Sequence, residues 1–247
     1  MKKILIILAL VAIAILAVFF FLPPSEVLTP TPSPIPTASS VVTKTPTTMS
    51  TPAPVSIGAV AFTSQAPLGG WDDPRQQDGC EEASALMAML WVQGKTSITP
   101  DEALKSILAI SDYEEATYGS YHDTNAQDTV KRIFEGYFKF TGAKAQLNIT
   151  AEDIKAALAQ GKLVLVPLNG QKLGNPNFTP PGPDRHMLVI IGYDAKHDEF
   201  ITNDPGTRKG KGYRYKTSVL ESALFNYPTG DHVPAASVTT AMITVTR

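Results

Sequence analysis

Cysteine is almost absent from this chain of 247 residues, which has a single one, Cys80. One cysteine cannot form a disulfide within the chain, and the 4 histidines lack the second cysteine that zinc-finger spacing needs. Basic residues are not in excess either, since 21 lysines and arginines face 23 aspartates and glutamates. A groove for a phosphate backbone requires such an excess, so we expect no nucleic-acid partner. These scarcities argue against disulfide scaffolds, iron–sulfur proteins and DNA-binding modules.

Charge is missing altogether from residues 4–22, an apolar run that directly follows Lys2 and Lys3. A helix of this length spans about 28 Å, which is close to the thickness of a bilayer core. We therefore expect residues 1–22 to form a single-pass anchor in the cell membrane, with the lysines in the cytoplasm and the rest of the chain extracellular. A cleaved signal peptide is the alternative, and the protein would then be secreted. The run ends in FFFLPP without a small-residue cleavage site, which favours the anchor.

Residues 23–57 are rich in proline, serine and threonine, and their only charged side chains are Glu26 and Lys44. Proline fixes the backbone angle φ and removes a hydrogen-bond donor, while the hydroxyl residues bring little apolar surface, so no core forms. We predict an extended linker here. A single domain over residues 58–247 follows it, and that length is sufficient to bury a sizeable core.

Helical patterns come first within that domain, and strand patterns follow. After an extended segment at 60–62, we predict helices from Cys80 to Gly94, from Thr99, and over 124–140 and 150–161. Strands are predicted at 162–168, 186–193, 199–202, 212–215 and 239–246, with a hairpin at 194–198 and a short helix at 217–227. Helices followed by strands that pair through hairpins are typical of an α+β fold with an antiparallel sheet.

Cys80 is the first candidate for chemistry because it stands at the first turn of a strongly amphipathic helix, after the turn residues Asp78 and Gly79. Free N–H groups and the positive end of the helix dipole stabilise a thiolate there, and the thiolate is the nucleophilic form. A buried and inert cysteine is the alternative interpretation.

A nucleophilic cysteine needs a base that takes its proton and later returns it to the leaving group, and histidine usually serves. His122, His197 and His232 lie in polar loops or turns, where we expect them to face solvent. His186 differs because it begins an apolar strand after the loop PPGPDR. Its ring can therefore stand at the rim of a cleft, and we predict it as the base.

The base in turn needs an acceptor that fixes its tautomer. Asp204 ends the strand that pairs with the His186 strand, and a short hairpin brings these two positions close together. Strand alternation points the neighbouring Asn203 to the opposite face, so Asn203 is only a fallback. An acyl-transfer site also needs a donor for the oxyanion, and a glutamine amide upstream of the cysteine would serve. The candidates are Gln65, Gln76 and Gln77.

The order of these residues resembles the family thirty-nine cysteine peptidases and their stand-alone relatives, in the papain-like superfamily. The resemblance covers about residues 58–247, through the segments SQAP, CEEAS, HMLVIIGYD and ITNDPG. It implies a papain-like cysteine peptidase fold in which the cysteine helix packs on an antiparallel sheet. It also implies Cys80 as nucleophile, His186 as general base and acid, Asp204 as orienting residue and Gln65 as oxyanion donor. Gln76 and Gln77 lie nearer to the cysteine in sequence and stay open as alternatives.

The pair Glu81 and Glu82 departs from the family pattern, which has glycine directly after the cysteine. Carboxylates next to a thiolate oppose its ionisation. In one interpretation the two glutamates only stabilise the first turn of the helix. In the other, one of them shapes the cleft or binds a cationic group of the substrate.

The sequence therefore predicts a membrane-tethered, extracytoplasmic cysteine peptidase of bacterial type, which hydrolyses a peptide or isopeptide bond through a Cys80 acyl-enzyme. We expect a monomer that acts on a peptide or protein, contacts the membrane through its N-terminal helix, and needs neither a metal nor an organic cofactor. Two alternatives stay open. One is transfer of the acyl group to an acceptor other than water, and the other is a catalytically inactive binding or adhesion module on the same fold.

Overall fold

The structure, a computed structural model, describes residues 55–247. The predicted anchor at residues 1–22 and nearly all of the predicted linker lie outside these residues. Between residues 55 and 247, no helix combines the length and the apolar character that crossing a membrane requires.

Most helices of the described region precede the main strands, as predicted. Their bounds are α1 Pro74–Gln77, α2 Cys80–Val92, α3 Pro100–Tyr118, α4 Ala126–Asp128, a π-helix Thr129–Tyr137, α5 Ala151–Ala159, α6 Gly170–Leu173 and α7 Thr217–Ala223. Helix α3 begins at the predicted position with a capping box of Thr99 and Glu102, and Thr150 forms an equivalent box with Asp153 before α5. These caps satisfy N–H groups that have no acceptor inside the helix, which fixes where each helix starts.

The strands of residues 55–247 form one antiparallel sheet. Their bounds are β1 Val55–Ser56, β2 Ala143–Leu147, β3 Leu163–Leu168, β4 His186–Asp194, β5 Glu199–Asn203, β6 Lys211–Lys216 and β7 Ala241–Val245. The strand order is β2-β7-β3-β4-β5-β6, and β1 pairs with β4. Every pairing is antiparallel. The α+β fold with an antiparallel sheet is therefore confirmed.

The central strands are buried on both faces of the sheet. Along β4, Met187 and Val189 pack into a core whose helical part comes mainly from α2, α3 and the π-helix. Leu188 and Ile190 pack into a second core that includes residues of α5 and α7. This explains why β3 and β4 are continuously apolar in sequence, since a strand covered on both faces has no solvent side. The cysteine helix α2 belongs to the first core.

Several elements differ from the sequence predictions. Strand β1 lies inside the predicted linker and pairs with the end of β4, so regular structure begins before residue 58. The predicted helix over 124–140 consists of α4 and the π-helix. Strand β2 and the short helices α1 and α6 were not predicted. The sequence of β2, AKAQL, alternates between apolar and polar residues, but two of its three apolar residues are alanines, which are uncommon in strands.

Candidate active site

Cys80 is the first residue of α2, and a close approach between two chain segments places it there. A Cβ on Gly79, the N-cap of α2, would lie 2.7 Å from the carbonyl oxygen of Arg75 in α1. Glycine is therefore the residue that lets α2 start directly against α1. The first N–H groups of a helix have no acceptor within it, and such groups stabilise anions.

The thiol of Cys80 contacts the side chain of the next residue. Cys80 is 5% exposed, and its Sγ donates a 3.0 Å hydrogen bond to Oε2 of Glu81. Burial, followed by the negative charge of Glu81, raises the pKa of the Cys80 thiol well above its usual value. The protonated thiol is thus the favoured form in this structure.

His186 begins β4, and its ring is held by the aspartate predicted to orient it. The Nε2 atom of His186 lies 2.8 Å from Oδ1 of Asp204, and both residues are almost completely buried. The ring also packs edge to face on Phe178, with 5.5 Å between the ring centroids. The strand pairing of β4 with β5 brings these two residues together, as the hairpin argument predicts.

Asp204 is ionised, which determines the tautomer of the histidine. Burial alone would raise the pKa of Asp204, but attraction to His186 and hydrogen bonds from His186, the Tyr215 hydroxyl and the Gly206 N–H together hold it below the usual value. A carboxylate that is ionised only accepts hydrogen bonds, so Nε2 of His186 carries the proton. With its single proton on Nε2, a neutral imidazole has a lone pair on Nδ1 that can act as a base.

Cys80 and His186 line one cavity of about 800 Å³. A contact between their two elements sets their relative position, because Ser84, one turn after Cys80, donates a 3.2 Å hydrogen bond to the carbonyl of Met187, next to His186. The exposed side chains of Arg208 and Lys209 also line this cavity, so it opens to solvent.

Gln65 joins helix α1, which directly precedes the nucleophile helix, to the turn that carries Asp204. Its backbone N–H donates to the carbonyl of Pro205, and its side-chain Nε2 donates to the carbonyls of Gln76 and Gln77, at 3.0 and 2.7 Å. Its side chain also lines the cavity and passes the N-cap Gly79. Both hydrogens of the amide are therefore engaged, and one must be released before the amide can donate to a substrate oxygen.

The other two glutamine candidates are placed differently. Gln77 also lines the cavity, but its side chain is exposed. Gln76 is buried and packs beside Gly70, and it is not one of the residues that line the cavity. The position of Gln65 agrees best with an oxyanion donor, and this role stays a prediction.

Comparison with known proteins places this arrangement in a family. Residues 57–229, which are more than half of the chain, match the profile of the Peptidase_C39 like family. The chain belongs to this family. The recognition made from the sequence is therefore confirmed. No protein with curated annotation is detectably similar to the chain.

Several solved structures resemble this C39-like chain, including the following two. One is described as a C39-like peptidase from Bacillus anthracis; it has 16% sequence identity and a TM-score of 0.44, and the match covers 78% of this chain and 98% of that one. The other is a digestive procathepsin L 3 from Tenebrio molitor larval midgut, with 13% identity and a TM-score of 0.34, covering 71% of this chain and 68% of that one.

The fallback orienting residue of this C39-like domain does not contact the histidine. The side-chain amide of Asn203 donates to the carbonyls of Val60 and Ala61, and its oxygen accepts from the N–H of Gly212. Asn203 and Asp204 therefore point to opposite faces of the sheet, as strand alternation predicts. Among the other histidines, His197 and His232 are exposed and His122 is half-buried; His232 nevertheless lines the cavity.

Sequence reasoning missed two residues that extend the histidine–aspartate pair. The hydroxyl of Tyr215 donates a 2.6 Å hydrogen bond to Oδ2 of Asp204, and it accepts one of 2.6 Å from Nδ2 of Asn175. Tyr215 lies on β6, and Asn175 lies in the loop that leads to β4. Nothing local in the sequence marks these contacts. Only the apolar-to-polar alternation of β6 indicates that Tyr215 faces inward.

A second missed feature is a group of buried carboxyl groups beside the thiol. Glu81 and Glu82 on α2 and Glu114 on α3 are all buried. Burial, with repulsion from neighbouring carboxylates, raises the pKa of Glu81 to about 7, that of Glu114 to about 8, and that of Glu82 well above its usual value. Among residues 55–247, no group of at least three His, Cys, Asp or Glu side chains is arranged to hold a metal ion.

Proposed function

We propose that this protein is a cysteine peptidase that hydrolyses peptide or isopeptide bonds, with Cys80 as nucleophile. Membership of a peptidase family supports the reaction class. The observation that carries the proposal is the 2.8 Å contact between Nε2 of His186 and the ionised Asp204. It leaves the lone pair of Nδ1 available as a base when the ring is neutral, and His186 and Cys80 line the same cavity.

In the first half of the reaction, Nδ1 of His186 takes the proton of the Cys80 thiol, and Sγ attacks the carbonyl carbon of the bound peptide. The carbonyl oxygen becomes an oxyanion, which the N–H groups at the start of α2 and the released amide of Gln65 stabilise. Asp204 stabilises the imidazolium that forms.

The intermediate then collapses as the C–N bond breaks. His186 gives its proton to the leaving amine, and the acyl group stays on Cys80 as a thioester. In the second half, His186 takes a proton from water, the resulting hydroxide attacks the thioester, and the C–S bond breaks. Sulfur leaves as a thiolate, which takes back the proton from His186, and a carboxylic acid is released.

The shape and lining of the cavity support a peptide substrate. A volume of about 800 Å³ lies within the usual range of ligand-binding sites. Its walls combine apolar groups such as Trp71 and Phe178 with the charged side chains of Arg208 and Lys209. This mixture fits a polypeptide, which presents both apolar and polar groups.

The location of the reaction is also a proposal. The apolar run at residues 4–22 and the proline-rich segment that follows it support a domain that is tethered to the cell membrane and works outside it. The purified full-length chain should then float with added phospholipid vesicles in a density gradient, and a chain that lacks residues 1–22 should not.

Peptide cleavage by the full-length chain tests the peptidase proposal. A mixture of peptides from a digested bacterial proteome is incubated with the chain, and new termini are identified by mass spectrometry. We expect new termini with the wild type and none with Cys80→Ser or His186→Ala. Cys80→Ser is the matched control because it exchanges a single atom. Equal cleavage by wild type and Cys80→Ser contradicts the proposal. In water enriched in oxygen-18, hydrolysis labels the new carboxyl group, whereas acyl transfer does not.

A binding module without catalysis is the second candidate, and the hydrogen bond from Cys80 to Glu81 favours it, since it leaves the thiol protonated. The rate at which iodoacetamide alkylates Cys80 at pH 7 separates the two. A peptidase requires a slower rate in His186→Ala than in the wild type, because the base has been removed. A binding module requires equal rates.

A further inference from the structure

Glu81 lies at the junction of three chain segments beside the thiol. It is 2% exposed. Its Oε2 accepts the hydrogen bond from Sγ of Cys80, while its Oε1 accepts a 2.6 Å bond from the Tyr227 hydroxyl and a 3.2 Å bond from the N–H of Thr124. The carboxyl group is thus fixed from the side opposite to the sulfur, and its second oxygen points at the thiol.

This contact competes with the proton transfer that the proposed function requires. The thiol has one proton. In the structure this proton is donated in a hydrogen bond to Glu81, but it must be transferred to Nδ1 of His186 before the sulfur can attack. An ionised Glu81 both accepts this proton in a hydrogen bond and repels the thiolate that remains. A neutral Glu81 has the opposite effect, because its own O–H can donate to the thiolate.

We infer that Glu81 is a positioning residue that holds the Cys80 thiol protonated while its carboxyl group is ionised and releases it to His186 when that carboxyl group is neutral. The inference rests on the proposed function in one respect, since it concerns the nucleophile of that reaction. The only chemical change in this step is the transfer of a proton among the Glu81 carboxyl group, the Cys80 sulfur and solvent.

The groups around Glu81 place this change near neutral pH. Four acids or potential acids face it besides Cys80: Asp123 from the loop before α4, Tyr227 after α7, Glu82 on its own helix and Glu114 on α3. Burial and the charge of Asp123 raise the pKa of Glu81 to about 7. A carboxyl group with this value changes its charge within the range where a peptidase works.

The test is the pH dependence of alkylation of the single cysteine by iodoacetamide, in Glu81→Gln and in the wild type. Thr124 N–H and the Tyr227 hydroxyl both need an acceptor, so the oxygen of the new amide takes the place of Oε1 and its NH₂ faces the sulfur. This NH₂ donates to sulfur and favours the thiolate. We expect the midpoint of the alkylation profile to fall by about one pH unit or more.

Glu82→Gln is the matched control. Glu82 is the adjacent residue and is equally buried, but its Oε1 accepts a hydrogen bond from Ser111 and its carboxyl group does not contact the sulfur. The Glu82→Gln substitution therefore removes a buried carboxyl group from the same helix turn as Glu81→Gln does. We expect less than half of the shift seen in Glu81→Gln. An equal shift in both variants, or no shift in Glu81→Gln, would overturn the inference.

Tyr227→Phe provides a second measurement that does not depend on the folding of Glu81→Gln. It removes the 2.6 Å donor that stabilises the ionised Glu81, so the pKa of Glu81 rises and the alkylation midpoint falls. An unchanged or higher midpoint in this variant contradicts the inference. Alkylation needs no peptide substrate, so these results stand whether or not cleavage is found, and a failure here leaves the proposed function intact.

Discussion

The hydroxyl of Tyr215 donates a 2.6 Å hydrogen bond to Oδ2 of Asp204, the carboxylate oxygen that His186 does not contact. Both oxygens of a fully buried carboxylate are thereby satisfied, one by the ring and the other by the hydroxyl. Since Tyr215 accepts in turn from Asn175, the chain of hydrogen bonds runs from the loop beside the cavity to the histidine. A buried carboxylate keeps its charge only when such donors replace the water it has lost.

Removal of that hydroxyl should destabilise the fold. We expect Tyr215→Phe to lower the free energy of unfolding at pH 7 by about 1–3 kcal/mol, because a charged acceptor stays buried without its donor. Urea denaturation measures this. The matched control is Tyr213→Phe on the same strand, where the tyrosine is half-buried and, within residues 55–247, its hydroxyl has no hydrogen-bond partner. We expect its stability to change by less than about 0.5 kcal/mol.

The effect of Tyr215→Phe on stability should depend on pH. The pKa of Asp204 is lower in the folded than in the unfolded protein, so its contribution to stability is present above the unfolded value, near about 4, and is lost as the pH falls through the folded value. The stability difference between wild type and Tyr215→Phe should therefore shrink in acid. A difference that is unchanged between pH 7 and pH 3 would show that the hydroxyl does not act through the charge of Asp204.

Gln65 and Gln77 can be separated by their effect on the rate. If Gln65 supplies the oxyanion donor, Gln65→Ala should lower kcat by about 10²–10³ in the peptide cleavage assay and change KM little. Gln77→Ala removes an exposed amide and keeps the backbone carbonyl that holds Gln65, so we expect a change in kcat of about twofold or less. The reverse order of effects would assign the role to Gln77.

Glu114 should make the protein less stable as the pH rises. Both oxygens of its carboxyl group lack a hydrogen-bond partner within residues 55–247, and burial, followed by the charge of Glu81, raises its pKa to about 8. The folded state therefore binds more protons than the unfolded state between about pH 4.3 and pH 8, and the free energy of unfolding falls with pH over that window.

The Glu114→Gln substitution removes the part of this pH dependence that the Glu114 carboxyl group causes. We expect the variant to be about 1–3 kcal/mol more stable than the wild type at pH 8 and to differ much less at pH 5, as measured by urea denaturation. Glu115→Gln is the control, because Glu115 is the neighbouring residue and is exposed. If wild type and Glu114→Gln lose the same stability between pH 5 and pH 8, the carboxyl group of Glu114 is not buried in solution as it is here.

The elements that local signals mark were predictable. Thr99 with Glu102 marked the start of α3, and the turn after Asp194 marked the hairpin between β4 and β5. That hairpin also accounts for the contact between His186 and Asp204, because a short connection brings the ends of its strands together regardless of the rest of the fold. Strand β2 was not predictable in this way, since two of its three apolar residues are alanines, which have little strand preference, and its partner β7 lies about a hundred residues later.

The surroundings of the Cys80 sulfur were not predictable either, because the residues that form them are distant in sequence. Glu81 and Glu82 occupy the first turn of a helix, where acidic residues are usually solvated. In the structure both are buried, because α3, the loop before α4 and the segment after α7 cover that turn. The donor that holds Glu81, the Tyr227 hydroxyl, is 146 residues away in sequence.

By itself, the sequence determined the family, the antiparallel α+β fold and the pairing of His186 with Asp204, since motifs, caps and hairpins act over a few residues or one connection. Only the tertiary structure decided what the Cys80 thiol touches and which donors satisfy Asp204. Whether a side chain is buried, and beside which charge, depends on segments that are distant in the chain and meet only when the core is packed.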